Sequence, residues 1–412
     1  MQGKRFIRTL RLKNFLSYGS EGEEIELQPL NVLIGPNASG KSNLIDAVGI
    51  LQSTPNDINT PFRQGGGISE WLWKGDEKKS NNIPTATIEA TVDYPEEPIP
   101  LRYQISFTMV GQKLEIVDEA VENEKKIDPS YKDVYFFYRY QNGNPVLNMR
   151  NISLLFEEIT GTNPKRNVRH LRRDEINPSQ SVLSQKQDQD FYPELTYLNN
   201  QFSKLRIYRE WNLGRYTPPR KPQPSDLPND FLEEDASNLA HVLLDLDFQG
   251  IKPLLIEQLQ KFYEAVGDIT ARLEGSTIQT FLRDKKFKRA IPASRLSDGT
   301  LRYLCLLTLL CHPSPPPLIC IEEPELGLHP DILSTVAELL IAASQRTQII
   351  VTTHSDALVS GLSEVPESVL VCEQNNTGSH LRRLEPQQLK NWLEKYTLGD
   401  LWRMGHIGGN RW

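Results

Sequence analysis

Residues 35 to 42 read Gly35-Pro36-Asn37-Ala38-Ser39-Gly40-Lys41-Ser42, after the apolar run Leu30-Asn31-Val32-Leu33-Ile34 and before the helical pattern Leu44, Ile45, Val48, Leu51. A strand, a glycine-bounded loop and a helix in that order predict a cradle for a nucleoside triphosphate, ATP or GTP. The glycines let backbone N–H groups curl around phosphate, Lys41 reaches the outer phosphates, and the Ser42 hydroxyl is placed to ligate Mg²⁺. The helix beginning near Gly40 adds its positive dipole end. With the β-α alternation further along the chain, the expected fold class is α/β.

The rest of the sequence allows this. The 412 residues are 38% apolar and 24% charged, enough for two or three subdomains around a substantial core. No apolar run is long enough to predict a membrane span, and Met1-Gln2-Gly3-Lys4-Arg5 leads straight into a strand pattern, so the expectation is a cytoplasmic protein without membrane association. Cys305, Cys311, Cys320 and Cys372 lack zinc-ligand spacing and read as buried hydrophobes. A net charge of −7 argues against a uniformly basic nucleic-acid coat while leaving room for one basic face.

Alternation at Phe6–Leu12, Glu24–Leu27, Thr85–Val92, Leu101–Phe107 and Val134–Tyr138 predicts an antiparallel subdomain beside the loop. The expected organisation is a first half at 1–150 and an inserted helical lobe with a Pro-rich linker at 151–230. The second half follows at 231–372, and a tail at 373–412. In the second half, strand Leu318–Ile321 alternates with a helix from Pro330 to Ala343 and strand Gln348–Thr352, as in a parallel sheet.

Three further segments carry chemistry. The strand Leu318–Ile321 ends in Glu322-Glu323, where the first acid can hold Mg²⁺ through water and the second can orient or deprotonate an attacking water. Leu296-Ser297-Asp298-Gly299 opens a helix, as a phosphate site or an ordinary N-cap. Thr352-Thr353-His354-Ser355 puts a histidine just past a buried strand, as a ligand-edge residue or a cap.

Taken in order, these four segments resemble the ATP-binding cassette head, and Asn37 and Asn43 make the loop similar to that of the SMC, RecF and overcoming-lysogenization-defect (OLD) branch. Glu322-Glu323-Pro324-Glu325-Leu326-Gly327-Leu328-His329-Pro330 and Thr353-His354-Ser355 resemble the OLD-like ATPases most. The implied fold is a P-loop ABC-type ATPase head with a mixed sheet, an antiparallel β subdomain and an inserted helical lobe. By this resemblance Gly35, Asn37, Ser39, Gly40, Lys41, Ser42 and Asn43 bind ATP, Ser42 and Glu322 serve Mg²⁺, Glu323 is the general base and His354 senses the γ-phosphate. Ser297 and Gly299 close over the nucleotide of a second protomer, which implies a homodimer with composite sites. Gln64 is the candidate for the glutamine that links metal to the inserted lobe. Two departures stand out: Glu322 replaces the commoner Asp, and Asp298 stands where many cassettes have Gly.

The chain shows no heptads for SMC-type arms, and the 40 residues after Cys372 are too few for the TOPRIM nuclease of OLD proteins, so an effector is expected on a separate chain. The implied role is a nucleic-acid-associated or invader-sensing ATPase of prokaryotic defence or DNA repair. The alternatives are a RecF-like repair ATPase or a regulatory scaffold with little turnover. Basic residues at Lys165, Arg166, Arg169, Arg172, Arg173, at Lys204, Arg206, Arg209, Arg215 and at Arg283, Lys285, Lys286, Lys288, Arg289, with Tyr197, Tyr208 and Trp211 for stacking, form either a phosphate-tracking face for DNA or RNA or a solvated surface. The final stretch Leu401-Trp402-Arg403-Met404 to Trp412 either tucks into the core or docks a partner.

Overall fold

A computed structural model describes residues 3–75, 84–127, 129–130, 132–141, 144–149, 167–171 and 175–409. Its centre is a six-stranded sheet in the order Arg206–Tyr208, Leu318–Glu322, Gln348–Thr352, Leu30–Ile34, Val369–Asn375, Gly378–Arg383. The first five are parallel, and the last returns antiparallel from Val369–Asn375 at the edge. These strands are apolar on both faces because both are covered. Leu30, Val32, Ile34, Ile319, Ile321, Ile349 and Val351 enter one core with the helices Leu239–Phe248, Asp298–Leu310 and Leu333–Ala343. Leu33, Leu318, Cys320, Ile350 and Leu370 enter a second with the helix Lys41–Ser53. The two-residue period of a strand thus divides each strand between two cores.

The second core is closed by an eight-stranded antiparallel sheet, ordered Glu23–Glu26, Ile7–Lys13, Ala86–Val92, Leu101–Val110, Lys113–Asn123, Phe136–Gln141, Asn144–Met149, Asn167–His170. A smaller sheet pairs Val266–Glu274 with Thr277–Asp284 and adds Gln223–Pro224 and Ile291–Pro292 at its margins. The mixed central sheet and antiparallel subdomain match the expected fold class.

Several expected boundaries fall elsewhere. The antiparallel sheet continues past 150 into Asn167–His170. The described helices between 151 and 230 are Val182–Gln185 and Pro193–Phe202, after which Arg206–Tyr208 already belongs to the central sheet. The Pro-rich stretch is no free linker. Pro218–Arg220 form a 3₁₀ turn and Gln223–Pro224 an edge strand, both places where a residue lacking N–H is tolerated. The boundary at 372 lies inside strand Val369–Asn375.

The stretch after 397 tucks in. Leu398, Leu401, Trp402 and Ile407 are buried in the first core, so Trp402 is no exposed anchor, whereas Met404 remains exposed. Trp412 lies outside the described residues. All four cysteines are free and buried.

Candidate active site

The phosphate loop leaves strand Leu30–Ile34 at its carboxyl end and enters the helix Lys41–Ser53. Three of its residues hold positive φ, Gly35 at 149°, Ala38 at 64° and Gly40 at 101°. At Gly40 a side chain is excluded twice over: a Cβ would lie 2.3 Å from Ser379 Oγ and 2.6 Å from Ser17 Oγ. The loop is clamped from behind by Tyr18, whose hydroxyl donates to the Gly40 carbonyl (3.0 Å), and by the Cys372 thiol, which donates to the Ser39 carbonyl (2.9 Å). Asn43 Nδ2 donates to Ser17 Oγ (2.7 Å), and Ser379 Oγ donates to the same atom (2.6 Å). Asn43 therefore shapes the loop from below, while Asn37 is exposed at its tip.

Lys41 folds over the loop, its ammonium donating to the Gly35 and Pro36 carbonyls at 2.9 Å each. Burial lowers its pKa, which is the situation an anionic ligand would relieve. Ser39 Oγ is buried with no hydrogen-bond partner, an unfilled donor inside the cradle.

The carboxylate strand runs parallel to its neighbour with Glu322 opposite Thr352. Ser42 Oγ donates to Glu322 Oε2 at 3.0 Å, so the two residues expected to serve Mg²⁺ are in contact. Burial raises the Glu322 pKa, partly offset by Arg209 and by the Ser42 hydroxyl. Glu323 takes φ 46°, an uncommon conformation for its residue type, and its N–H donates to the Thr352 carbonyl (2.9 Å). That turn aims its carboxylate at His354, with Oε1 3.8 Å from Nε2.

Glu325 fixes the histidine's backbone: one carboxylate oxygen accepts from the Thr353 hydroxyl (2.7 Å) and the His354 N–H (2.8 Å). In the sequence Glu325 stands in the run Glu322–Pro330 with no role of its own. The strand register and the acid's place two residues past Glu323 are the signal that could have found it.

The structure thus gathers Gly35, Ser39, Gly40, Lys41, Ser42, Glu322, Glu323 and His354 at one sheet edge. Ser297 and Gly299 are placed differently. Ser297 is the exposed N-cap of the helix Asp298–Leu310, its Oγ accepting from Thr300 N–H (3.1 Å). Gly299 packs against the loop after the carboxylates, where a Cβ would meet the Gly327 carbonyl at 2.9 Å. Buried Arg220 braces this turn, donating to the Leu213, Ala293 and Leu296 carbonyls and pairing with Asp298.

Gln64 does not join the metal residues. Phe62 anchors the helix Asn59–Gln64 in an aromatic cluster with Trp71 and Phe107, and a residue two positions on points the other way, leaving Gln64 exposed. The proposed stacking residues are also elsewhere: Tyr208 and Trp211 are buried, and Tyr197 spends its hydroxyl on the Asp93 carbonyl. Arg169 pairs with Glu175 (3.3 Å), and Lys165, Arg166, Arg172 and Arg173 lie outside the described residues.

A family model described as "AAA domain, putative AbiEii toxin, Type IV TA system" matches residues 30–108 and 152–360. The chain belongs to this AAA family. The matched stretches contain the phosphate loop, the paired carboxylates and His354. Among curated proteins, Structural maintenance of chromosomes protein 1 of Arabidopsis thaliana is 22% identical over 165 residues, 38% of this chain and 13% of that protein. The Chromosome partition protein Smc of Mycolicibacterium paratuberculosis is 26% identical over 105 residues, 25% of this chain and 8% of that protein. The match therefore spans only a small part of each relative's length.

Among solved structures, an Smc head bound to the C-winged helix domain of ScpA aligns with a TM-score of 0.59 at 14% identity, covering 93% of this chain and 99% of that one. An Smc head with an extended coiled coil bound to the C-terminal domain of ScpA, from Pyrococcus furiosus, gives 0.58 at 13%, covering 95% and 99%. The AAA chain is an ATPase with the fold of an SMC head.

Proposed function

We propose that the chain binds and hydrolyses ATP as a homodimer with two composite sites, in the cytoplasm, without a membrane. In this reading it is a nucleic-acid-associated or invader-sensing component of a prokaryotic defence or repair system, of the OLD-like and RecF-like kind, that controls a separately encoded effector. The observation that carries the chemistry is the junction of Lys41, Ser42, Glu322, Glu323 and His354 at one sheet edge, with Ser42 on Glu322 and Glu323 facing His354.

The residues fit a magnesium–nucleotide. Glu322 already draws a guanidinium, so the pocket's charge suits a cation, and the buried Ser39 hydroxyl lacks a partner. Ser42 and Glu322 would hold Mg²⁺, which when bound neutralises phosphate charge. Lys41, which now donates to two loop carbonyls, is the residue that would hold the outer phosphates. Glu323, held by its strained turn, orients water and accepts its proton, and His354 stands beside that carboxylate.

Dimeric composition is supported by the exposed start of the helix Asp298–Leu310, where Ser297 and Asp298 lie at the surface. Nucleic-acid contact is supported by exposed Arg283 at the end of the strand Thr277–Asp284 and by the exposed segment after it carrying Lys285, Lys286, Lys288 and Arg289 around Phe287, itself 57% exposed.

The test is complementation in purified protein. Lys41→Ala and Ser297→Arg protomers are each inactive alone, while their mixture forms heterodimers with one intact composite site and regains part of the turnover. A mixture as inactive as either parent at every ratio rejects the shared site. Turnover and anisotropy with duplex and single-stranded DNA test the nucleic-acid role, expected to weaken steeply with salt.

A further inference from the structure

The metal pocket holds a cation supplied by a residue outside every motif. Arg209 follows the edge strand Arg206–Tyr208, whose parallel register sets Tyr208 opposite Ile321 and so brings the next residue level with Glu322. Its guanidinium bridges two carboxylates: Nη1 lies 3.0 Å from Glu322 Oε1 and Nη2 2.6 Å from Asp46 Oδ1. Asp46 stands four residues beyond Ser42 on the helix Lys41–Ser53, hence on the same helix face. Asp46 and Glu322, the latter also holding the Ser42 hydroxyl, therefore converge on one guanidinium.

The two contacts differ. Nη2 donates a hydrogen bond to Asp46, whereas Glu322 Oε1 is near the guanidinium without hydrogen-bond alignment. Asp46 is the anchor and Glu322 the looser partner. The arginine side chain is 40% exposed, and Gly49, one turn further on, leaves the helix surface open beside Nη2. A planar fork of fixed charge can span both acids at once, which an ammonium cannot.

We propose that Arg209 is a latch on the metal pocket: it neutralises Glu322 and Asp46 while nucleotide is absent, and yields Glu322 to the divalent cation that arrives with nucleotide, staying tethered to Asp46. Arg209 acts through Glu322 and is a positioning residue. The inference rests on the ATP-site reading above.

The experiment titrates Mn²⁺, as a paramagnetic stand-in for Mg²⁺, into the full-length protein without nucleotide and follows free metal by electron paramagnetic resonance. Arg209→Met unmasks two neighbouring carboxylates and should bind Mn²⁺ at least about tenfold more tightly than wild type, since even at a water-like dielectric the repulsion removed between a unit charge and a divalent cation a few ångströms apart is enough for that. Arg209→Lys, the variant least prone to misfold, should fall between. Adding Glu322→Gln to Arg209→Met should abolish the gain.

Unchanged or weaker Mn²⁺ binding in both Arg209 variants overturns the latch, as does a gain that survives Glu322→Gln. No nucleotide is present, so the outcome is separate from turnover. A wild type inert toward ATP whose Arg209 variants still tighten on Mn²⁺ would defeat the functional reading alone. Normal turnover with unaltered Mn²⁺ binding would defeat the latch alone.

Discussion

The carboxyl edge of the central sheet and the middle of the antiparallel sheet both bury carboxylates, and they treat them in opposite ways. In the antiparallel sheet Glu122 is met by Arg102 and Arg139 from neighbouring strands, and Glu119 accepts from Tyr103 Oη, Ser181 Oγ and Val182 N–H. Unpartnered atoms remain there on Asn123, Asn148 and the Arg102 Nε, but every buried carboxylate oxygen described on Glu119 and Glu122 is engaged. At the sheet edge, Glu325 Oε2, Thr352 Oγ1 and Ser39 Oγ lack partners, and Ala38 and Glu323 hold positive φ. The contrast lies in the carboxylates: the antiparallel sheet engages both oxygens of Glu119 and Glu122, whereas at the sheet edge Glu322 Oε1 and Glu325 Oε2 are left without a hydrogen bond.

The largest separation between the regions should come from Lys41→Ala. Nucleotide affinity should fall by about a hundredfold, since a charge-assisted contact is worth roughly 1.5–3 kcal/mol, while the melting temperature hardly moves. Titration of a fluorescent ATP analogue checks this. A large loss of stability instead would mean that the lysine's bonds to Gly35 and Pro36 are structural.

How the sequence conveyed these two regions follows from how local each one is. The phosphate loop, Glu322-Glu323 and His354 were legible because each sits on a strand and the turn directly after it, so spacing fixes placement. Arg209 was counted only as one of a basic cluster, since its role exists only once Arg206–Tyr208 pairs with Leu318–Glu322 across more than a hundred intervening residues. The Ser17–Ser379 clamp is likewise a contact between chain ends. Composition pointed Tyr208 and Trp211 toward bases, but their rings pack together in the core. The Pro-rich segment read as linker because pattern alone does not reveal that Arg220 is buried against three carbonyls.

A second contrast is in pH response. Burial pushes the Glu119 carboxyl up to about 7. The folded protein therefore holds a proton there that the unfolded chain releases above the ordinary glutamate range. Stability from this group is greatest below that range and declines as pH rises through about 4.5 to 7, by at most a few kcal/mol. Glu119→Gln should flatten that decline in urea unfolding at pH 5 and pH 7.5, leaving ATP affinity of the folded fraction unchanged. A decline as steep as in wild type would assign it to other groups.

The smallest expected effect tests whether the end of the chain belongs to the site. Gly409 sits at φ 72°, its N–H donates to Glu373 Oε1 (3.0 Å), and a Cβ there would stand 3.0 Å from Val371 Cγ1 and 3.4 Å from Gly35 Cα. Gly409→Ala should cost about 1–2 kcal/mol from the left-handed conformation and weaken ATP binding modestly by pressing on the phosphate loop. Thermal unfolding with and without nucleotide separates the two parts. Unaltered nucleotide affinity would confine the tail to stability.

The central claim is that the strained, under-satisfied edge is a site of ATP hydrolysis in which Glu323 is the base. The direct measurement is nucleotide binding and single-turnover hydrolysis by Glu323→Gln beside wild type. The amide keeps the side chain's size and leaves Ser42 and Glu322 in contact, so the variant should bind magnesium–ATP at least as well as wild type and lose about a hundredfold or more in hydrolysis. Hydrolysis at the wild-type rate by the purified variant would contradict the account.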